Sequence, residues 1–128
     1  MEQDQPMDQA WRLERESWEA VKAGTAGEFY AHHMTTDGFI VLPGRTVDRH
    51  ELIMGWEKHE PLDSFELSEP RMVLVDGESV LISYRVSAEA NWLPGYQAQI
   101  TSLYTWVGKE WALAFRQHTP DSKDPFPF

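Results

Sequence analysis

Five histidines carry most of the chain's potential for metal or acid–base chemistry, and their spacing argues against a metal. His32 and His33 are neighbours, so on a helix they point about 100° apart and cannot chelate one ion. His50 and His59 fall on nearly opposite faces of one helical segment, and His118 stands alone. No HxxxH, HxH or HExxH spacing occurs, and the absence of cysteine removes thiolate ligands, thiol nucleophiles and disulfides together. GxGxxG, GxxxxGK[ST] and GxSxG are also missing, which leaves dinucleotide, P-loop and hydrolase-elbow chemistry without support. Neither a metal nor an organic cofactor is expected. His33, beside Phe29 and Tyr30 on a helix, is the best acid–base candidate, although a lone histidine there more often serves as a hydrogen-bonded core residue.

A second set of polar groups emerges from strand alternation. Val80, Ile82, Tyr84, Val86, Ala88 and Ala90 share one face, as do Tyr96, Ala98, Ile100, Ser102, Tyr104 and Trp106. In the last strand the same sorting groups Trp111, Leu113, Phe115 and Gln117, with Ala112, Ala114, Arg116 and His118 on the opposite side. Facing these aromatic-rich sets toward the helices places the polar tips of Tyr84, Ser102, Tyr104 and Gln117 in an apolar lining. Apolar walls with a few orienting donors and acceptors make a small-ligand pocket; the alternative is that the tips satisfy one another and buried water. Trp18, His33 and Trp56, from the helices, complete the expected lining.

The elements that must position these groups are legible in order. Residues 1–6 form a polar lead-in. From Met7 to about Lys22, Ala10, Trp11, Leu13, Trp18 and Val21 recur at helical spacing, and Gly24 supplies the stop. A shorter helix follows from Thr25 to about Met34. Gly38 to Gly44 is a short strand closed by Pro43-Gly44. Asp48 with Glu51 reads as a capping box for a helix ending before Pro61. From Phe65 the period becomes two, with turns at Asp76-Gly77, Pro94-Gly95 and Gly108-Lys109, and with Pro70 demanding an edge or a bulge. Helices followed by an antiparallel meander predict an α+β fold, one domain over 7–120, with helices packed on the concave face of a curved sheet. Residues 121–128 form a Pro/Phe-rich tail able to dock on its own or a neighbouring subunit.

Eleven basic against 21 acidic residues give a net charge of −10, and the arginines are scattered, so nucleic acid is not an expected partner. No stretch approaches the length of a spanning helix and the first residues lack a secretory pattern, which predicts a cytoplasmic protein with no membrane partner. The other sheet face mixes Leu81, Ser83, Ser87, Thr101, Leu103, Thr105, Ala112 and Ala114, with few charges. That composition predicts packing against a second copy, most simply as a two-fold homodimer.

Trp18-Glu-Ala, Gly27-Glu28, Leu42-Pro43-Gly44, Ser83-Tyr84-Arg85 and Trp111 to Pro120, taken in order and spacing, resemble the nuclear-transport-factor-two-like superfamily over about four-fifths of the chain. That superfamily shares the cystatin-like cone and includes SnoaL-like cyclases and ketosteroid isomerases; within it the residues look most like a large bacterial group of stand-alone domains. The resemblance implies a homodimer through the open sheet face and a cavity lined by helices and inner strands. Members of that group usually carry a His-Gln pair before Thr-Pro. Here Arg116 stands at the His position while Gln117 keeps its place. Where ketosteroid isomerases hold a carboxylate base, this chain has Val41 and Leu42, so isomerase chemistry of that type is not implied.

Two functions follow as expectations. One is binding of a small apolar or aromatic ligand in the cavity, with SnoaL-like catalysis free of any cofactor. The other is a non-catalytic homodimeric association domain.

Overall fold

The computed structural model describes residues 5–122. Residues 1–4 and 123–128, which hold most of the expected lead-in and tail, lie outside the described residues. Helical periodicity is realised as α1 (Gln5–Ala23) and α2 (Ala26–His33). α1 buries Ala10, Trp18 and Val21 along one stripe. Gly24, at φ 82°, follows its last residue in a region that disfavours any residue with a Cβ. The capping box is present: Asp48 accepts from the Glu51 N–H at 2.8 Å, and the Glu51 carboxylate accepts from the Asp48 N–H at 3.2 Å. It opens α3 (Arg49–Gly55), which runs into a single 3₁₀ turn, Trp56–Lys58. Gly27 lets α2 approach α3 closely, because a Cβ there would lie 2.9 Å from the Ile53 carbonyl oxygen.

Six strands form one curved, unclosed sheet: β1 (Met34–Leu42), β2 (Arg45–Asp48), β3 (Ser64–Leu74), β4 (Ser79–Ala90), β5 (Leu93–Val107) and β6 (Glu110–Pro120). Their order is β2-β1-β6-β5-β4-β3. Strands β3 to β6 make the expected meander, and β1 joins it parallel to β6. The short β2 departs from expectation: Pro43-Gly44, read as a break, makes a tight hairpin with Gly44 at φ 75°. Pro70 sits at an irregularity of edge strand β3, where register slips between Ser68 and Arg71 and Glu69 takes φ 54°. An edge bulge is where a residue without an N–H is tolerated. With its helices packed against this sheet, the chain has the α+β cone architecture.

One irregularity decides which side chains reach the interior. Leu103 pairs with Phe115 but Tyr104 pairs with Leu113, so Ala114 is an extra residue in β6. On the other side, β1 pairs Met34 with Leu113 and Phe39 with Phe115, leaving residues 35–38 bulged opposite Ala114. An inserted residue in a period-two element reverses the facing of everything beyond it. Trp111 and Leu113 are therefore buried before the bulge, and Arg116 and His118 are buried after it. This corrects the sequence reading twice. Gln117 and Phe115, expected inward, lie on the outer face, Gln117 exposed and Phe115 half-buried, and Arg116 and His118, assigned outward, belong to the core.

Candidate functional site

The interior between α1 and the sheet is organised around Glu14, which is wholly buried. It lies on the inward stripe of α1, one turn from both Ala10 and Trp18. Four donors converge on its carboxylate. Tyr84 and Ser102 donate to Oε2, the latter at 2.7 Å. Tyr104 and Arg116 donate to Oε1 at 2.7 and 2.8 Å. Arg116 is equally committed. Its Nε donates to Ser102 at 3.1 Å, its Nη1 to the Tyr30 hydroxyl at 2.9 Å, and its Nη2 also to Ser17 Oγ at 2.9 Å. Trp18 Nε1 donates to the Tyr84 oxygen at 2.7 Å, and Ser17 Oγ donates back to the Glu14 carbonyl at 2.6 Å.

The electrostatics follow from this packing. Burial raises the Glu14 pKa, but the Arg116 charge and hydrogen bonds from Arg116, Tyr84 and Ser102 outweigh it, and the net shift is downward. For Arg116 burial works against the charged form, while Glu14 and the surrounding tyrosines push its pKa up further, so it stays charged. Burial raises Tyr84 and Tyr104, with Glu14 adding to the effect. A carboxylate with its lone-pair sites filled by four donors and its pKa depressed is a poor proton acceptor. As folded, this cluster is an electrostatic clamp between α1, β4, β5 and β6.

A second buried pair lies nearby. His118 Nδ1 is 2.8 Å from the Tyr96 hydroxyl, and its ring sits 6.0 Å from Trp18. Burial first, and the Arg116 charge second, bring the His118 pKa down to about 3, so its imidazole is neutral near neutral pH.

The expected pocket residues divide among these places. Tyr84, Ser102 and Tyr104 converge, with Trp18 bonded to Tyr84, but their hydrogen bonds are spent on Glu14 and Arg116. His33 lies apart from them, half-buried against Phe29 at 4.9 Å, in a surface groove of about 440 Å³ between α1 and α2. Trp56 is half-buried beside Trp92 and His59, on the far side of α2 from that groove. Gln117 is on the other face of the sheet. Tyr84, Ser102 and Tyr104 do not line the surface grooves beside His33, beside His50, beside Trp56 or at the β1–β6 edge. Among the described residues no group of three histidine, aspartate or glutamate side chains could hold a metal. No described helix is long and apolar enough to cross a membrane.

The outer face carries its own pattern. Val73, Leu81, Leu103, Phe115 and Phe39 are successive register partners across β3, β4, β5, β6 and β1. They form one continuous apolar row. Val73 is 56% exposed, Phe39 39% and Leu81 37%, and Phe39 meets Phe115 edge-on at 5.3 Å. The neighbouring row, Arg71, Ser83, Thr101, Gln117 and Val41, is mostly polar. Further along, Gln99 donates to Ser83 and Gln97 to Ser87, each at 2.8 Å, while Arg85 pairs with Asp121.

No protein-family model matches the chain, and no curated protein matches it. Solved structures do. An NTF2-like protein from Cytophaga hutchinsonii superposes with a TM-score of 0.81 at 14% identity, covering 94% of this chain and 99% of that one. A proposed Ca/calmodulin-dependent kinase II association domain from Exiguobacterium sibiricum gives 0.79 at 17% identity over 97% and 99%. A proposed scytalone dehydratase from Novosphingobium aromaticivorans gives 0.75 at 12% identity over 96% and 89%. The fold is therefore the NTF2-like, cystatin-like cone. Proteins of that fold include proposed dehydratases and a proposed association domain alike, so the fold leaves the function to be argued from residues.

Proposed function

We propose that the chain is a homodimeric association domain that pairs through the outer face of its sheet. The observation that carries this reading is the apolar row from Val73 to Phe39, continuous across five strands on a face with few charges, with Val73, Leu81 and Phe39 exposed and Leu103 and Phe115 half-buried between them. A chain with net charge −10 has ample polar residues for a solvated face, yet it sets branched and aromatic side chains there. A two-fold contact would bury the same row on both copies, and about 25 cal/mol per Å² of apolar area would favour it. The likeness to a proposed association domain supports the same direction. Native mass spectrometry at micromolar concentration tests it. A two-chain ion is the expected species, and ions of a single chain alone would remove the reading.

A second reading keeps the interior as a small-molecule site, acting without metal or organic cofactor in a SnoaL-like manner on an apolar or aromatic compound. The observation favouring it is chemical. Burying an ion pair with three phenols and two hydroxyls costs several kcal/mol in desolvation, and an apolar core of the same volume would often be as stable. Buried clusters with perturbed pKa values concentrate at functional sites, which supports this reading beside the clamp role. A thermal-shift screen of aromatic compounds against wild type and Tyr104→Phe discriminates. Stabilisation lost in the variant supports the reading, and no stabilisation by any compound argues against it.

A further inference from the structure

A surface groove of about 620 Å³ opens where β1 parts from β6, at one end of the outer sheet face, and the interior reading makes no use of it. Its origin is the double irregularity already described: Ala114 is extra in β6 and residues 35–38 bulge from β1 opposite it. Ala112 and Ala114 leave the floor unfilled, and Leu103, Val107 and Trp111 give it apolar walls. The polar groups at this groove are two carboxylates, the hydroxyls of Thr35, Thr36, Ser79 and Thr105, and the His32 imidazole at its rim. Asp37 and Glu110 contribute carboxylates, and no lysine or arginine lines it. Thr35 Oγ1 is buried there without a hydrogen-bond partner among the described residues. A volume of this size, with apolar walls and a few polar groups, has the character of a ligand pocket. Within a chain of net charge −10, its local field favours a cation.

We propose that this groove binds a small molecule carrying a protonated amine on a short apolar body. The ammonium group would pair with Asp37, within reach of the bulge hydroxyls, with Glu110 adding to the negative field of the groove, and the apolar part would lie over Ala112, Ala114 and Leu103. The groove shares Leu103 with the apolar row, so a second copy seated on that row could cover it. The test therefore uses both the wild-type chain and Leu81→Glu, which breaks the row outside the groove. Amide spectra of each uniformly labelled protein are titrated with n-butylammonium, n-butanol and butyrate. Saturable shifts of the amides of residues 35–38 and 112–114 are expected with butylammonium in at least one of the two proteins. Butyrate should give none, and Asp37→Asn should weaken binding about threefold, as the loss of one exposed ion pair does. Asp37 is exposed, so that variant should fold normally. No saturable shift in either protein, an equal response to all three probes, or unchanged affinity in Asp37→Asn would overturn the proposal.

Discussion

Glu14 and Arg116 lie 102 positions apart in sequence and form an ion pair of 2.8 Å whose side chains are 0% and 3% exposed. The pair joins the first helix to the last strand. It fixes α1 over the sheet with a directionality that apolar contacts alone would lack, because the carboxylate must meet four donors from three strands.

Removing one partner leaves the other charge buried and unpaired. Arg116→Met should therefore cost about 3–5 kcal/mol, and Glu14→Leu a similar amount. The double variant should cost clearly less than the sum, because neither orphaned charge remains. Urea unfolding of the four proteins measures this, and strict additivity would show that the two residues do not act as a pair.

The pH dependence divides into two windows. His118 has its folded pKa brought down to about 3 from 6.5, so below 6.5 the unfolded chain binds the proton more readily. Stability should fall as pH drops from 6.5, by up to about 1.4 kcal/mol per pH unit from this residue. Glu14, with its folded pKa lowered from 4.5, contributes stability that is fully present above 4.5 and is lost as pH falls through its folded value. The decline should steepen there. His118→Asn should flatten the decline between 6.5 and 4.5 and leave below 4.5 only the part that Glu14 contributes. An unchanged upper slope in urea titrations would contradict the assignment.

Much of this was legible in the sequence, and what was not has identifiable causes. The capping box at Asp48, the hairpin at Asp76-Gly77 and the β4 and β5 alternation follow from local chemistry, and the structure contains them. The role of Glu14 has no local signature of its own, because its partners other than Ser17 lie at least 70 positions away. A signal of its burial was present: Ala10, Glu14 and Trp18 recur every four residues, so an acid stands within the apolar stripe. The facing of Gln117 failed for a different reason. Trp111, Leu113 and Phe115 alternate cleanly, and nothing local marks Ala114 as an insertion, because its bulge is set by pairing with β1 and β5. Tyr84, Ser102 and Tyr104 were grouped by alternation, whereas the acid and base that claim their hydrogen bonds were not.

If Ala114 sets the facing of the last strand, deleting it should restore simple alternation. Trp111, Leu113, Arg116 and His118 would then lie on one face of an unbroken strand, so the deletion should keep the Glu14–Arg116 pair and cost less than Arg116→Met. An alanine inserted between Phe115 and Arg116 would instead turn Arg116 and His118 outward, and should cost at least as much as Arg116→Met. Chemical denaturation compares them. A deletion as destabilising as Arg116→Met, or an insertion without cost, would mean that Ala114 does not set the facing.

Gly27 offers a control remote from the cluster. A Cβ there would press within 2.9 Å of the Ile53 backbone oxygen, so Gly27→Ala should cost about 1–3 kcal/mol by forcing α2 from α3. A melting temperature equal to wild type would indicate that the two helices separate without penalty.

Sedimentation equilibrium of the wild-type chain beside Leu103→Glu addresses the pairing surface itself. Leu103 is the middle of the five-residue row, and a carboxylate there would face its own copy across a two-fold axis. Twice the chain mass for wild type, falling to a single chain mass in the variant with the fold retained by circular dichroism, is the predicted result. A wild-type chain that sediments singly, or a variant that keeps the double mass, would contradict it.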